Sequence, residues 1–211
     1  MPLHRVKPWG WQQHLHSWVL IMSVTNTDIQ QLVAGAFLSR GFDLTSKFSD
    51  GMITAKAIGD GVAGELHDSG IVTVPAHAGG TYHVSELSEA GMSSKIRDSL
   101  AKSGIRFDNK FAWSDRMHRA LAKGITTTIL KQSIVSIPTD ASGTFKLVGL
   151  TRGEVESALR AALSGEGFVL EGDYARAGDL AYAAAVGVTN GVNGKAQVSG
   201  SFTPGGNYKI E

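Results

Sequence analysis

Sliding the chain along itself by 63 residues brings its apolar and glycine positions into register three times, without a gap. Gly41, Gly104 and Gly167 share one column, as do Gly61, Gly124 and Gly187, and Gly80, Gly143 and Gly206. Apolar columns run between them: Val24/Leu87/Leu150, Ile29/Met92/Val155, Val33/Ile96/Leu159, Phe37/Leu100/Leu163 and Val72/Val135/Val198. Aromatic columns are Phe48/Phe111/Tyr174 and Tyr82/Phe145/Tyr208. Self-similarity at a fixed period is the signature of a repeated module, and it limits the fold to three related units. The units are 22–84, 85–147 and 148–211. Residues 1–21 lie before them as a basic, Trp-rich arm or extension.

The columns carry local structure. Thr25, Ser88 and Thr151 each precede an apolar-periodic run, the place of a helix N-cap whose oxygen accepts an otherwise unpaired N–H. Asp28 and Glu154 stand three residues later, as a capping box requires, and Gly91 breaks that pattern in the second unit. Val24/Ile29, Leu87/Met92 and Leu150/Val155 have the spacing of a hydrophobic staple. Ile29, Leu32, Val33, Ala36 and Phe37 then form one helical face, which Gly41 and its equivalents terminate.

Alternation of Phe42 with Leu44, and of Ile105 with Phe107, predicts a short strand next. Asp50-Gly51 could open a hairpin. The matching SDRMHRALAKG reads instead as a short helix from Ser114 to Gly124, and three related units should share it. ITTTIL and SIVSIP then read as strands, Asn193-Gly194 as a turn, and Gly79-Gly80, Ser142-Gly143 and Gly205-Gly206 as the turn before a final strand. The expected class is α+β. Each unit is expected to run helix–strand–short helix–three-stranded antiparallel meander, the three packed together as a pseudo-threefold body or a short stack. A 63-residue unit is near the lower limit for independent stability, and no linker separates the units.

Composition excludes several chemistries. There is no cysteine, so disulfides, thiolate nucleophiles and cysteine-bound zinc are ruled out. A formal net charge of +1 argues against a broad electrostatic grip on nucleic acid. No run of about eighteen apolar residues occurs, so no spanning helix is expected. Charged residues make up only 18% against 26 glycines, which suits surfaces buried in an assembly.

Glu65, His67, Asp68, His77 and His83 invite a metal site, with His67, His77 and His83 as candidate ligands. None of the spacings matches a specific zinc pattern. In the other units His77 becomes Asp140 and Thr203, and His67 becomes Leu130 and Asn193. The bland reading, solvated strand and turn residues, is preferred. His83, Lys146 and Lys209 form a more persistent row. Each follows the aromatic of the last strand and should face away from it, where it could grip phosphates or acidic partners. His118 and Asp115, three apart on one helix, read as a surface pair. No nucleophile elbow or phosphate loop is present, and carboxylates do not recur: Asp50 aligns with Trp113 and Arg176. No catalytic residue and no cofactor are expected.

The arm MPLHRVKPWGWQQHLHSWVLI holds Trp9, Trp11 and Trp18 with Arg5 and Lys7, and no acid. Tryptophan and arginine are typical interface anchors, so these five are candidate partner-binding residues. A signal segment, an interfacial membrane anchor, and an extension upstream of a start at Met22 are the other readings. The expected function is non-enzymatic: a structural or assembly protein with protein partners in a homo- or hetero-oligomer, such as a component of a virion or another large particle. The alternatives are a nucleic-acid-binding protein using the arm and the His83/Lys146/Lys209 row, and a metal-dependent enzyme centred on the first unit.

Overall fold

The computed structural model describes residues 23–45, 50–75, 79–107, 113–139, 141–172, 175–202 and 205–211. Its elements follow in chain order as α1 Asn26–Ser39, α2 Gly51–Ser69, β1 Ile71–Thr73, β2 Gly80–Glu86, α3 Glu89–Lys102, α4 Ser114–Gln132, β3 Ile134–Ile137, β4 Ser142–Lys146, α5 Arg152–Gly165, α6 Ala177–Lys195, β5 Gln197–Ser201 and β6 Asn207–Lys209. The fold is α+β. The shorter helices begin at 26, 89 and 152, and the longer ones at 51, 114 and 177.

The caps fall where the sequence places them. Thr25 Oγ1 accepts the Asp28 N–H at 3.1 Å and the Thr25 N–H donates back to Asp28 Oδ2 at 3.1 Å, a complete capping box. Ser88 and Thr151 accept from Gly91 and Glu154. At the other end of each short helix, glycine takes a left-handed φ: 79° at Gly41, 90° at Gly104 and 88° at Gly167. The Gly41 N–H then donates to Leu38 and the Phe42 N–H to Phe37, and the same two bonds recur at Gly104–Ile105 and Gly167–Phe168. This is a Schellman motif, and its apolar residue folds back on the helix. Phe42 stacks on Phe37 at 4.8 Å between ring centroids.

That motif corrects the first strand expected from the sequence. Phe42 and Ile105 are apolar because they seal a helix end, and among the described residues no strand forms there. The second helix is also 19 residues long rather than short. ITTTIL belongs to α4, where Ile125 and Ile129 are buried one helical turn apart and Thr128 Oγ1 donates to the Gly124 carbonyl at 2.8 Å. Asn193-Gly194 likewise lies inside α6. Among the described residues each expected meander shows two strands.

Gly124 does not stop its helix but permits a crossing. A Cβ there would lie 2.9 Å from Leu159 Cα on α5. Gly61 meets Ile96 on α3 in the same way, and Gly187 meets Val33 on α1. The helices pack in chain order, each against the next, and α6 packs against α1. The strands follow suit. β2 pairs with β3, β4 with β5, and β6 with β1, all antiparallel. β1 also pairs with β2. Bridges Ile134–Val148 and Val198–Ile210 join the four-stranded and two-stranded sheets at both margins. One strand face, with Val72, Val84, Val135, Leu147, Val198 and Ile210, is buried in the core.

Candidate functional site

The outer strand face is polar and hydroxyl-rich. Thr81 bonds Ser136 across β2–β3, Thr144 bonds Ser199 across β4–β5, and Thr73 donates to Asn207 across β1–β6. His83, Lys146 and Lys209 are exposed on this face, two residues beyond Thr81, Thr144 and Asn207. Tyr82, Phe145 and Tyr208 pack against the core from the opposite face. The row is not gathered into one cluster by strand pairing: its members sit on β2, β4 and β6, with β3 and β5 between them. Lys209 Nζ donates to the Asp68 carbonyl at 3.4 Å. Trp9, Trp11, Trp18, Arg5, Lys7 and His77 lie outside the described residues. His67 is exposed on α2. Among the described residues, no group of three or more His, Asp or Glu side chains is placed to hold a metal ion.

His118 differs from its surface-pair reading. It is 5% exposed, its Nδ1 is 2.8 Å from Ser93 Oγ on α3, and its Nε2 is 3.4 Å from Asp115 Oδ1. Burial holds its pKa below the ordinary histidine value, against the pull of Asp115. A serine, a histidine and an aspartate in a row suggest nucleophilic catalysis. Ser93, however, lies inside a regular helix, so its own N–H belongs to the helix ladder and offers no oxyanion donor. Arg119 binds Asp115 from outside at 2.6 Å and also reaches Glu166 on the α5 C-cap. The chain of bonds ties α3 to α4, and the charges around it tie α4 to the end of α5.

The recess best suited to a ligand is at the opposite end from the strands. Each long helix starts there and rises about 28 Å toward the strand layer, at 1.5 Å per residue. The cavity is about 620 Å³ and is lined by residues of all three long helices and of the segments after α1 and α5. Phe37, Phe42, Trp113 and Phe168 supply its aromatic wall, with Trp113 and Phe168 5.0 Å apart. Asp50, Trp113 and Arg176 stand at the three helix starts, and none makes a side-chain capping bond. Arg176 lies over the Phe42 ring at 5.0 Å and donates to Asp179 at 3.2 Å, with its side chain 63% exposed.

Large exposed apolar side chains concentrate at this end. Trp113 is 52% and Val169 70% exposed on the cavity, while Leu38 and Met52 adjoin the lining residues Phe37 and Gly51. In the sequence the Asp50/Trp113/Arg176 column reads only as a failure of carboxylates to recur. The available signal was that failure itself, since one equivalent position holds an acid, an indole and a base. No family model, no curated protein and no solved structure matches the chain. No described helix is long and apolar enough to cross a membrane.

Proposed function

We propose that the protein is a non-enzymatic structural or assembly element, an internal triplication closed into a pseudo-threefold ring, with units 22–84, 85–147 and 148–211. One observation carries this reading: the last unit's helix and strand pack on the first unit's, α6 on α1 and β6 on β1. The positions shared by the units serve the scaffold, as N-caps, Schellman glycines and helix crossings, and the polar residues not shared decorate it. A closed ring presents different surfaces at its two ends, a polar strand face and an apolar loop face, which suits a hub between protein partners in a virion or another large particle. Light scattering of the full chain from dilute to concentrated solution tests it, together with a search for the chain in purified particles from its source. Higher-order species or stoichiometric incorporation are expected. A strict monomer that no particle contains overturns the reading.

A second reading, nucleic-acid binding, is favoured by the exposure of His83, Lys146 and Lys209 on one strand face. Phosphate contacts strengthen as salt falls. Absence of RNA and DNA binding at low salt removes it.

A further inference from the structure

We infer that the aromatic cavity at the helix-start end is a binding site for a small ligand with a flat apolar body and one anionic end. A volume near 620 Å³ lies in the range of small-molecule sites, which are mostly apolar with a few placed polar groups. Phe37, Phe42, Trp113 and Phe168 line it from three separate parts of the chain. Trp113 is half exposed, although its indole could bury a large area if covered.

The charge pattern selects the ligand's polar end. Three helices begin at the cavity, and each start carries a partial positive charge. Asp50 offsets that charge at α2. At α6 the N-cap is Arg176, a cation where helices favour an acceptor, and it donates to Asp179 from one edge of its guanidinium. A guanidinium has five donors in a fork that fits a carboxylate, so Arg176 keeps the capacity to grip an anion above the rings. The equivalent positions Asp50, Trp113 and Arg176 make the mouth asymmetric, as one asymmetric ligand would require. This site does not rest on the assembly reading, since a monomer can bind and an assembled hub can leave the cavity empty.

The test is calorimetric titration of the full chain with 2-naphthoate, 2-naphthylmethylammonium and 2-naphthalenemethanol. Naphthoate is expected to bind saturably at one site, about tenfold tighter than the ammonium, the scale of one charge-assisted contact. Arg176→Gln should erase that preference while the alcohol binds as before. Trp113→Ala should weaken all three, and Asp50→Asn should tighten naphthoate. Circular dichroism of each variant separates lost binding from lost fold. Equal or tighter binding of the ammonium overturns the inference, as does the absence of saturable binding by all three. Partition of the protein onto lipid vesicles without saturable naphthoate binding also overturns it and assigns the apolar end to a membrane surface.

Discussion

The carboxylate of Glu65 occupies the space that a side chain on Gly91 would fill: Glu65 Oε2 lies 2.5 Å from the position of a Cβ on Gly91. Gly91 is the residue at which the second unit departs from the capping-box pattern. Glu65, on the neighbouring α2, does the missing work by accepting the Ser88 N–H at 3.2 Å. It is 1% exposed, bonds Lys95 at 2.5 Å and also takes the Ser69 hydroxyl.

Glu65→Ala is expected to cost about 2–3 kcal/mol, less than a fully buried pair because Lys95 retains Asp68 and water. Gly91→Ala should also destabilise, since the new methyl displaces the carboxylate. Urea denaturation of both variants and of the double variant checks this. Additive losses would show that the two positions are uncoupled and that the shared-space account is wrong.

Glycines at crossings and glycines in open space should respond with opposite signs. At Gly59 a Cβ would overlap the Asn26 backbone carbonyl, whereas at Gly194 nothing lies within 4 Å. Gly59→Ala is expected to lose about 1–3 kcal/mol from overpacking, and Gly194→Ala to gain up to about 1 kcal/mol from helix propensity. Thermal melts of the two variants should move in opposite directions.

Acid should loosen the fold in two windows. Burial lowers the His118 pKa below 6.5, so the folded state binds fewer protons than the unfolded chain. The contribution of a neutral His118 is complete above pH 6.5 and is lost as pH falls through the folded value. Asp60 acts lower. Burial alone would raise its pKa, but bonds from Lys56, Ser99 and Asn26 hold it below 3.8. Its contribution is present above that value and is lost as pH falls below it. The wild type should therefore melt lower at pH 5 than at pH 7.5, and His118→Phe should flatten that interval. Asp60→Asn should be destabilised at pH 7, with the difference shrinking in strong acid. A wild-type melting temperature that rises from pH 7.5 to 5 would contradict the His118 account.

Each N-cap should carry its own helix. Thr25→Ala, Ser88→Ala and Thr151→Ala are expected to cost about 1 kcal/mol apiece. Ser88→Ala leaves Glu65 on the Ser88 N–H, while Thr25→Ala also removes the bond its hydroxyl donates to Asp28 Oδ2 at 2.7 Å. Thr25→Ala should therefore be the more damaging of the two in chemical denaturation.

What could be read from the sequence was local and periodic. Caps, terminating glycines and the facing of the strand aromatics follow from side-chain chemistry within a few residues of each other. The errors came from ambiguous signals. Phe42 and Ile105 look like strand residues because a helix-sealing apolar residue leaves the same imprint as two positions of a strand. The β-branched run after Gly124 looks like a strand until α5 is known to cross at that glycine. The cavity was hidden for a different reason. Its walls come from the starts of α2, α4 and α6 and the segments after α1 and α5, and no spacing along the chain records that Trp113 meets Phe168.

The β6–β1 ladder also sets a timetable for synthesis. Ile71 pairs with Lys209, and Thr73 with Asn207. Strand β1 leaves the ribosome long before β6, one of its two neighbours. Until then its edge is open to other chains, and open edges invite aggregation. The seam is a contact of great sequence separation, the kind that slows folding. Removing β6 would therefore expose one edge of a strand made long before it rather than merely shorten the chain.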